Sequence, residues 1–329
     1  MHETTPLVSV IIPSYTRMAE LATCLNALLT QDYPNLEITV VDDASSDGTV
    51  HMVKRDFPSV HVLQGRTNRG PAHRRNQGIL ASRGEYLLFL DSDVRFPDAD
   101  VIARMVARMS TDPCIGELGG EIPLYEGDQR RAYGRRVGYT GRTFRVPAEG
   151  ESDALTPCDY VATCHCMIRS EVARQVSGFD PHYRFGAEDA DFGLAIRMRG
   201  YRNCVAFAYA ALHQGSRTGR LPDETYQYYR TQLRLLWKRG GAIRPLVRLG
   251  LDALRVLIFY PLLPLKLLAY VILGRRIGRE SLIDPWLILK AYDWNLRHLS
   301  ETQRARTADF LASAEIERFR RSATPRREP

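Results

Sequence analysis

Short apolar runs alternate with stretches of helical period between residues 8 and 110 of the chain. The run at 8–12 is rich in β-branched residues and stops at Pro13, which predicts a buried strand. The same pattern predicts the other strands and helices of this region, with strands at 38–41, 60–63 and 85–90 and helices near 21–29, 72–82 and 101–109. Such alternation with short loops is typical of a parallel sheet covered by helices on both faces.

Polar side chains follow three of these predicted strands at the point where each strand ends. They are Ser14 and Tyr15, then Asp42 and Asp43, then Asp91 and Asp93. In open α/β sheets, ligands bind outside the carboxyl ends of the strands. Three such positions in register therefore predict a binding site at one edge of the sheet.

Asp91, Ser92 and Asp93 stand directly after the apolar run 86–90. Two carboxylates separated by one residue on a turn can share a hard divalent cation such as Mg²⁺ or Mn²⁺, which prefers oxygen ligands. A cation there would neutralise a diphosphate as it leaves. The alternative is an ordinary turn that caps the strand.

Asp42 and Asp43 also end an apolar strand, and one of these carboxylates could accept an N–H from the edge of a nucleobase. Two adjacent carboxylates repel each other unless both are bonded, which disfavours a purely structural role for the pair. Further along, Asn68–Ala72 leads into a helix that carries Arg75, and a helix start with a nearby arginine attracts anions. The alternative is an arginine on a solvated face.

Glu188, Asp189 and Asp191 place three carboxylates at the start of a predicted helix. The helix dipole favours acids at this end, so capping is one interpretation. The other is a general base that removes a proton from an attacking hydroxyl. That reaction needs no covalent intermediate and would invert the configuration at the attacked carbon.

Two histidines invite a metal interpretation. His213 follows an apolar stretch, and a lone histidine is more often structural than a ligand, although beside a cation it could be an imidazole ligand or contact a diphosphate. His165 stands between Cys164 and Cys166 on a predicted strand, so the two thiols share one face and the imidazole takes the other. That spacing disfavours zinc, and we expect buried thiols there.

Charge divides the chain into two parts. Residues 1–216 hold 23 Lys and Arg against 27 Asp and Glu, whereas residues 217–329 hold 22 against 11. The net charge of +7 therefore comes from the C-terminal third. Six cysteines are too few for a disulfide scaffold, and the N-terminus lacks the pattern of a secretory signal, so we expect free thiols in a reducing cytosol.

The C-terminal third also contains the apolar segment 256–274, with one charge at Lys266 and two prolines. Spanning a bilayer takes about 20 apolar residues, so this segment is borderline. An in-plane or re-entrant helix pair, with arginines at anionic headgroups, fits better than a single membrane segment. The alternative is a soluble helical cap with its leucines buried. Nucleic acid is disfavoured because aromatic residues do not alternate with the arginines.

As a set, five stretches resemble glycosyltransferase family 2, the inverting enzymes with the GT-A fold. They are Val8–Tyr15, Val41–Thr49, Asn68–Gly78, Phe89–Asp93 and Gly178–Asp189. The resemblance covers roughly residues 7–215 in the order of the family. It implies a Rossmann-like nucleotide-binding mixed sheet flanked by helices. We expect a catalytic domain at 1–216, with a nucleotide-sugar half (1–112) and an acceptor half (113–216), followed by a helical, membrane-associating region at 217–329.

The resemblance also implies roles for single residues. It implies that donor binding involves Pro13, Tyr15, Asp42, Asp43, Arg75, Asp91 and Ser92. It also implies that Asp91, Asp93 and His213 bind the metal and that Asp189 is the general base. Tyr15 would stack on the nucleobase, and Asp43 would accept a hydrogen bond from it. The chain departs from the family pattern at Thr16, at the single glycine Gly178, and at Cys164 and His165, which bear on donor and acceptor preference.

These observations together predict a transferase with a Mn²⁺ or Mg²⁺ cofactor. It would move a sugar from a nucleotide-sugar, UDP-linked by expectation, to a hydroxyl of a lipid-linked or cell-surface glycan, as in the synthesis of cell walls or polysaccharides. We expect it at the cytoplasmic face of a membrane, bound to an anionic surface. The alternative is a membrane-bound scaffold or nucleotide-sugar binder that has lost catalysis. The sequence does not disclose the oligomeric state.

Overall fold

The computed structural model describes residues 5–120, 133–147, 153–184, 186–209, 211–213, 224–259, 285–308 and 310–311. These residues form two compact units. The first contains the described parts of Met1–Arg136, Thr143–Leu221 and Ala308–Pro329, and the second those of Val137–Arg142 and Pro222–Thr307. Of the predicted membrane segment 256–274, the part from residue 260 onward lies outside the described residues.

The first unit is built on a sheet of eight strands. The strands of this unit are β1 (Val8–Ser14), β2 (Leu36–Asp42), β3 (His61–Gln64), β4 (Tyr86–Leu90), β5 (Val94–Arg95), β6 (Ile115–Gly120), β7 (Tyr133–Val137), β8 (Thr143–Pro147), β9 (Thr156–Cys158), β10 (His165–Arg169), β11 (Arg202–Ala206) and β12 (Leu212–His213). The order across the large sheet is β3-β2-β1-β4-β10-β6-β11-β9. Two small sheets pair β12 with β5 and β7 with β8.

Six helices accompany these strands within the described part of the first unit. They are α1 (Met18–Leu29), α2 (Thr49–Asp56), α3 (Pro71–Ala81), α4 (Val101–Thr111), α5 (Ser170–Gln175) and α6 (Glu188–Met198). The predicted alternation of strand and helix over residues 8–110 is thus confirmed.

Strands β3, β2, β1 and β4 are parallel, as predicted, and the rest of the sheet is mixed. Strand β10 lies antiparallel between β4 and β6, and β9 is antiparallel to β11. Pairing of Ser14 with Asp42, and of Ile11 with Phe89, aligns the carboxyl ends of the three parallel strands. The polar residues that follow those strands are therefore gathered at one edge.

Both faces of the sheet are covered by apolar side chains. Alternate residues enter opposite clusters: Val10 and Leu88 face one side, and Ile11 and Phe89 face the other. On the second side, Phe89 meets the ring of Phe179 edge-on at 5.3 Å. Fully buried strands explain why these runs are continuously apolar rather than alternating.

The second unit is helical. Its helices are α7 (Glu224–Arg239), α8 (Ile243–Phe259), α9 (Pro285–Arg297) and α10 (Leu299–Arg304). A small core joins α7 to α9 through Tyr226, Tyr229, Leu233, Ile288, Ala291 and Tyr292. Within the described ranges, no helix combines the length and the apolar character that crossing a bilayer requires.

Candidate active site

Asp91, Asp93 and His213 meet at the edge of the sheet. Strand β12 pairs with β5 so that His213 lies opposite Val94, the residue after Asp93. The Nε2 atom of His213 is 3.1 Å from Oδ1 of Asp93 and 3.7 Å from Oδ2 of Asp91. One possible ligand atom from each residue lies within 4.8 Å of the others. The structure thus brings together the three predicted metal ligands.

The chemistry of this cluster fits a divalent cation. Two carboxylates and one imidazole suit Mn²⁺ or Mg²⁺, with positions left for phosphate oxygens. Desolvation disfavours charge on both Asp91 and His213. At His213 the carboxylates of Asp91 and Asp93 outweigh desolvation, and at Asp91 the positive charges of His213, Arg75 and Arg17 outweigh it. The pKa of Asp91 falls to about 2 and the pKa of His213 rises to about 10. Without a cation, His213 therefore carries positive charge against the two carboxylates.

Arg17 is a further member of the cluster that sequence reasoning missed. Its Nη1 atom is 2.9 Å from Oδ2 of Asp93, a side chain that is only 1% exposed. Arg17 immediately precedes α1, in the loop after β1. Its place at a strand end, two residues after Tyr15, is the signal that could have identified it.

Arg75 connects Asp91 and Asp93, which we call the acidic cluster, to helix α6. Its Nη2 atom is 3.1 Å from Oδ1 of Asp91, and its Nη1 atom is 3.3 Å from Oε1 of Glu188. The guanidinium is buried and lies over the ring of Phe179. The next residue, Asn76, exchanges two hydrogen bonds of 2.7 Å with the backbone of Phe179. Those bonds fix α3 against the loop that leads to α6.

Helix α6 begins with Glu188 and Asp189 after two residues of left-handed backbone, Gly186 and Ala187. A left-handed backbone at a non-glycine residue such as Ala187 costs about 1 kcal/mol or more. The surrounding structure must therefore hold the turn before α6 in this strained conformation. Desolvation, and then the charge of Glu188, raises the pKa of Asp189 to about 7. A carboxylate with that pKa can accept a proton near neutral pH.

The predicted nucleobase residues lie at the ends of β1 and β2. Tyr15 is 38% exposed, whereas Asp42 is fully buried and accepts the N–H of Ser45. Asp43 accepts hydrogen bonds from the backbone N–H groups of Arg69 and Gly70 and from Nε of Arg74. It therefore organises the loop before α3. Its role in reading a base stays a prediction.

Two other predicted donor residues are less open to a ligand than Tyr15. Pro13 is half-buried near Tyr15, at the end of β1. Ser92, between Asp91 and Asp93 in the chain, is only 3% exposed. Their part in donor binding also stays a prediction.

The sequence matches the model of "Glycosyl transferase family 2" over residues 9–176, just over half of the chain. The chain belongs to this family. The glycosyltransferase is 28% identical to glycosyltransferase AglE of Haloferax volcanii over 60% of its own length and 66% of AglE. It is 37% identical to a putative teichuronic acid biosynthesis glycosyltransferase, TuaG of Bacillus subtilis, over 35% of its length and 46% of TuaG. It thus spans less than two thirds of each.

Solved structures show the same fold. The mannosyltransferase PcManGT of Pyrobaculum calidifontis, in complex with GDP-Man and Mn²⁺, aligns with a TM-score of 0.54 and 20% identity, over 96% of this chain and 87% of that one. GalNAc-T7, with UDP, GalNAc and Mn²⁺, aligns with a TM-score of 0.59 and 16% identity, over 72% and 48%. The glycosyltransferase therefore has a GT-A-like α/β fold.

Cys164 of the glycosyltransferase lies between the acidic cluster and helix α6. Its carbonyl accepts the N–H of Asp91. Burial, and then the charges of Asp91 and Asp189, raises the pKa of its thiol, so the sulfur stays protonated. Its neighbour His165 is fully buried, with its ring edge-on to Phe96 at 5.5 Å.

Glu117 is a buried acid that the sequence reasoning did not single out. It is fully buried on β6, and Oε2 accepts the N–H of Val161 at 3.1 Å. A Cβ placed on Gly193 of α6 would meet Oε2 at 2.9 Å, so the carboxyl lies directly against this helix. Burial raises its pKa well above the ordinary range. Burial against the helix that carries Asp189 thus favours the neutral form of Glu117.

Proposed function

We propose that this glycosyltransferase moves one sugar from a nucleoside-diphosphate sugar, UDP-linked by preference, to a hydroxyl group of a glycan in a single inverting displacement. One observation carries the proposal: the guanidinium of Arg75 contacts both Asp91 of the acidic cluster and Glu188, the neighbour of Asp189. One cleft can therefore hold a donor diphosphate and a base for the acceptor.

The donor half of the cleft has a defined set of residues. Asp91, Asp93 and His213 would hold a divalent cation, which when bound neutralises charge on the departing diphosphate. Mn²⁺ accompanies the nucleotide in PcManGT and in GalNAc-T7, which supports the choice of metal. Tyr15 is exposed enough to stack on a base, with Pro13, Asp42 and Asp43 beside it at the strand ends. Arg75 and Ser92 complete the donor side.

The acceptor half centres on Asp189. In the proposed step, Asp189 takes the proton of the acceptor hydroxyl as the oxygen attacks the anomeric carbon. The bond from that carbon to the diphosphate oxygen breaks, and its electron pair leaves with the nucleoside diphosphate. One displacement with one base inverts the anomeric configuration. A pKa near 7 leaves a useful fraction of Asp189 ionised at neutral pH while keeping it basic enough to accept the proton.

The named relatives support the proposed acceptor class. TuaG is described as an enzyme of teichuronic acid biosynthesis, and TarS of Staphylococcus aureus as a poly(ribitol-phosphate) β-N-acetylglucosaminyltransferase. Both names denote polymers of the cell envelope. We therefore propose a lipid-linked or cell-surface glycan as acceptor, in the synthesis of a cell-wall polymer or polysaccharide at the cytoplasmic face of a membrane.

A donor screen tests this function. The purified full-length protein is incubated with Mn²⁺ and, separately, UDP-glucose, UDP-N-acetylglucosamine, UDP-galactose and GDP-mannose, and free nucleoside diphosphate is measured. We expect release from at least one UDP-sugar and loss of release when EDTA is added. Tight binding of a nucleotide-sugar without any release, even with a mixture of lipid-linked glycans, would instead indicate a binder that has lost catalysis.

A further inference from the structure

Helix α8 presents its apolar side outward. Every exposed position of the helix from Ile243 to Ile258 is aliphatic or glycine. These positions are Ile243, Leu246, Val247, Leu249, Gly250, Leu251, Ala253, Leu254, Leu257 and Ile258. At about 100° per residue they fill one continuous face, wider than the stripe that a surface helix usually buries. We call these ten residues the outer face of α8.

Two of the four charged residues of α8 point the other way. Arg248 and Asp252 are only 3% and 5% exposed, and Nε of Arg248 is 2.7 Å from Oδ2 of Asp252. The hydroxyl of Tyr292 in α9 donates to the same carboxylate at 3.0 Å, and Arg248 also donates to the carbonyl of Thr140. This is the reverse of a helix that packs its leucines into a core.

The buried charges fix this orientation. Rolling α8 to bury its leucines would carry the ion pair along, but it would separate Arg248 from the carbonyl of Thr140 and Asp252 from the hydroxyl of Tyr292. Leaving buried polar groups without their hydrogen bonds is unfavourable. The leucines on the outer face of α8 therefore do not pack into the core of the second unit. An outward face of this size on a soluble protein marks an interaction site.

We propose that the outer face of α8 lies in the plane of an anionic lipid bilayer, with its aliphatic side chains among the acyl chains just below the headgroups. A bilayer accepts such a face without directional partners, and binding grows with the apolar area buried. Charge is complementary: the half-buried Arg244 and Arg255 flank the face, and residues 217–329 hold 22 basic against 11 acidic residues. Asp252, the one acid of α8, is turned inward.

The inference rests on the membrane location in the proposed function and deepens it by naming the surface that contacts the lipid. It places the contact on 243–258, largely upstream of the segment 256–274 that the sequence suggested. The helix has 17 residues and carries four charges, which suits lying on a membrane rather than crossing it.

Sedimentation with lipid vesicles tests the inference. Full-length protein is mixed with vesicles of phosphatidylcholine alone or with one third phosphatidylglycerol, and pelleted protein is measured. The test variant is Leu246→Glu/Leu254→Glu, and the control is Leu29→Glu in α1, since Leu29 is 50% exposed and Leu254 is 51% exposed. Circular dichroism and release of nucleoside diphosphate from the donor check that each variant is folded and active.

We expect wild-type protein and the control variant to bind vesicles equally, and more tightly when the lipid is anionic. Burying one leucine is worth about tenfold in a partition equilibrium, so the double variant should bind about 100-fold more weakly. Equal binding by wild type and double variant would overturn the inference, as would no binding by wild type. A wild-type dimer in light scattering that the double variant dissociates, without vesicle binding, would assign the face to a second copy.

Discussion

Arg75 and Glu188 lie 113 positions apart in the chain, yet Nη1 of Arg75 is 3.3 Å from Oε1 of Glu188. The other terminal nitrogen of the same guanidinium contacts Asp91. Arg75 thus balances charge for the acidic cluster and for the acids at the start of α6 together. Without it, Asp91, Glu188 and Asp189 would repel one another across the cleft.

Removing one carboxylate of the acidic cluster should weaken metal binding. We expect Asp93→Asn to lower the affinity for Mn²⁺ by at least about 10–100-fold. That is the loss typical when only a residue hydrogen-bonded to a metal ligand is removed. Calorimetric titration of the purified protein with MnCl₂ measures this without turnover. The control is Asp98→Asn, whose carboxylate is 57% exposed. Equal Mn²⁺ affinity in wild type and Asp93→Asn would remove Asp93 as a ligand.

Transfer should depend on pH through Asp189. The base works only when ionised, so kcat/KM should rise with pH and level off above its pKa of about 7. Glu188→Gln removes the neighbouring negative charge that helps raise this pKa, and the midpoint should move to lower pH by about 1 pH unit or less. The exposed Glu171→Gln is the control. A midpoint that stays fixed in Glu188→Gln would show that the profile reports another group.

The strand ends of the candidate site were predictable, because apolar runs followed by Asp42 and Asp91 identify parallel strands and their carboxyl ends from local pattern alone. His213 was harder. Its position depends on two-residue strands, β5 and β12, that pair across more than a hundred positions. Arg17 and Glu188 were missed as partners because the sequence gives no distance between loops of separate elements.

Helix α8 shows a different limit of sequence reasoning. Its periodicity reveals two faces, but not which one turns inward. That depends on the carbonyl of Thr140, which accepts a hydrogen bond from Arg248, and on the hydroxyl of Tyr292, which donates one to Asp252. Strand β10 is similar: its apolar composition predicts a buried strand, but not that it runs antiparallel to its neighbours β4 and β6.

Glu117 should make the stability of the protein depend on pH. Its pKa in the folded state is raised above the ordinary 4.5, so the stability that the neutral acid contributes is complete at low pH and is lost as pH rises toward the folded-state pKa. Glu117→Gln keeps the shape and stays neutral at every pH. Its unfolding free energy relative to wild type should therefore increase between pH 5 and pH 8.

Urea unfolding at several pH values measures this difference, with the exposed Glu171→Gln as the matched change. If the gap between Glu117→Gln and wild type does not change with pH, Glu117 keeps the same charge when the protein unfolds.

In the proposed reaction, Asp189 deprotonates the acceptor while the acidic cluster holds the donor. The most direct measurement compares Asp189→Asn with wild type in single-turnover transfer and in calorimetric binding of the donor with Mn²⁺. General-base catalysis contributes about 10²–10⁴-fold, so transfer should fall by at least that much while the donor Kd stays within about twofold. Transfer by Asp189→Asn at a near wild-type rate would rule out Asp189 as the general base.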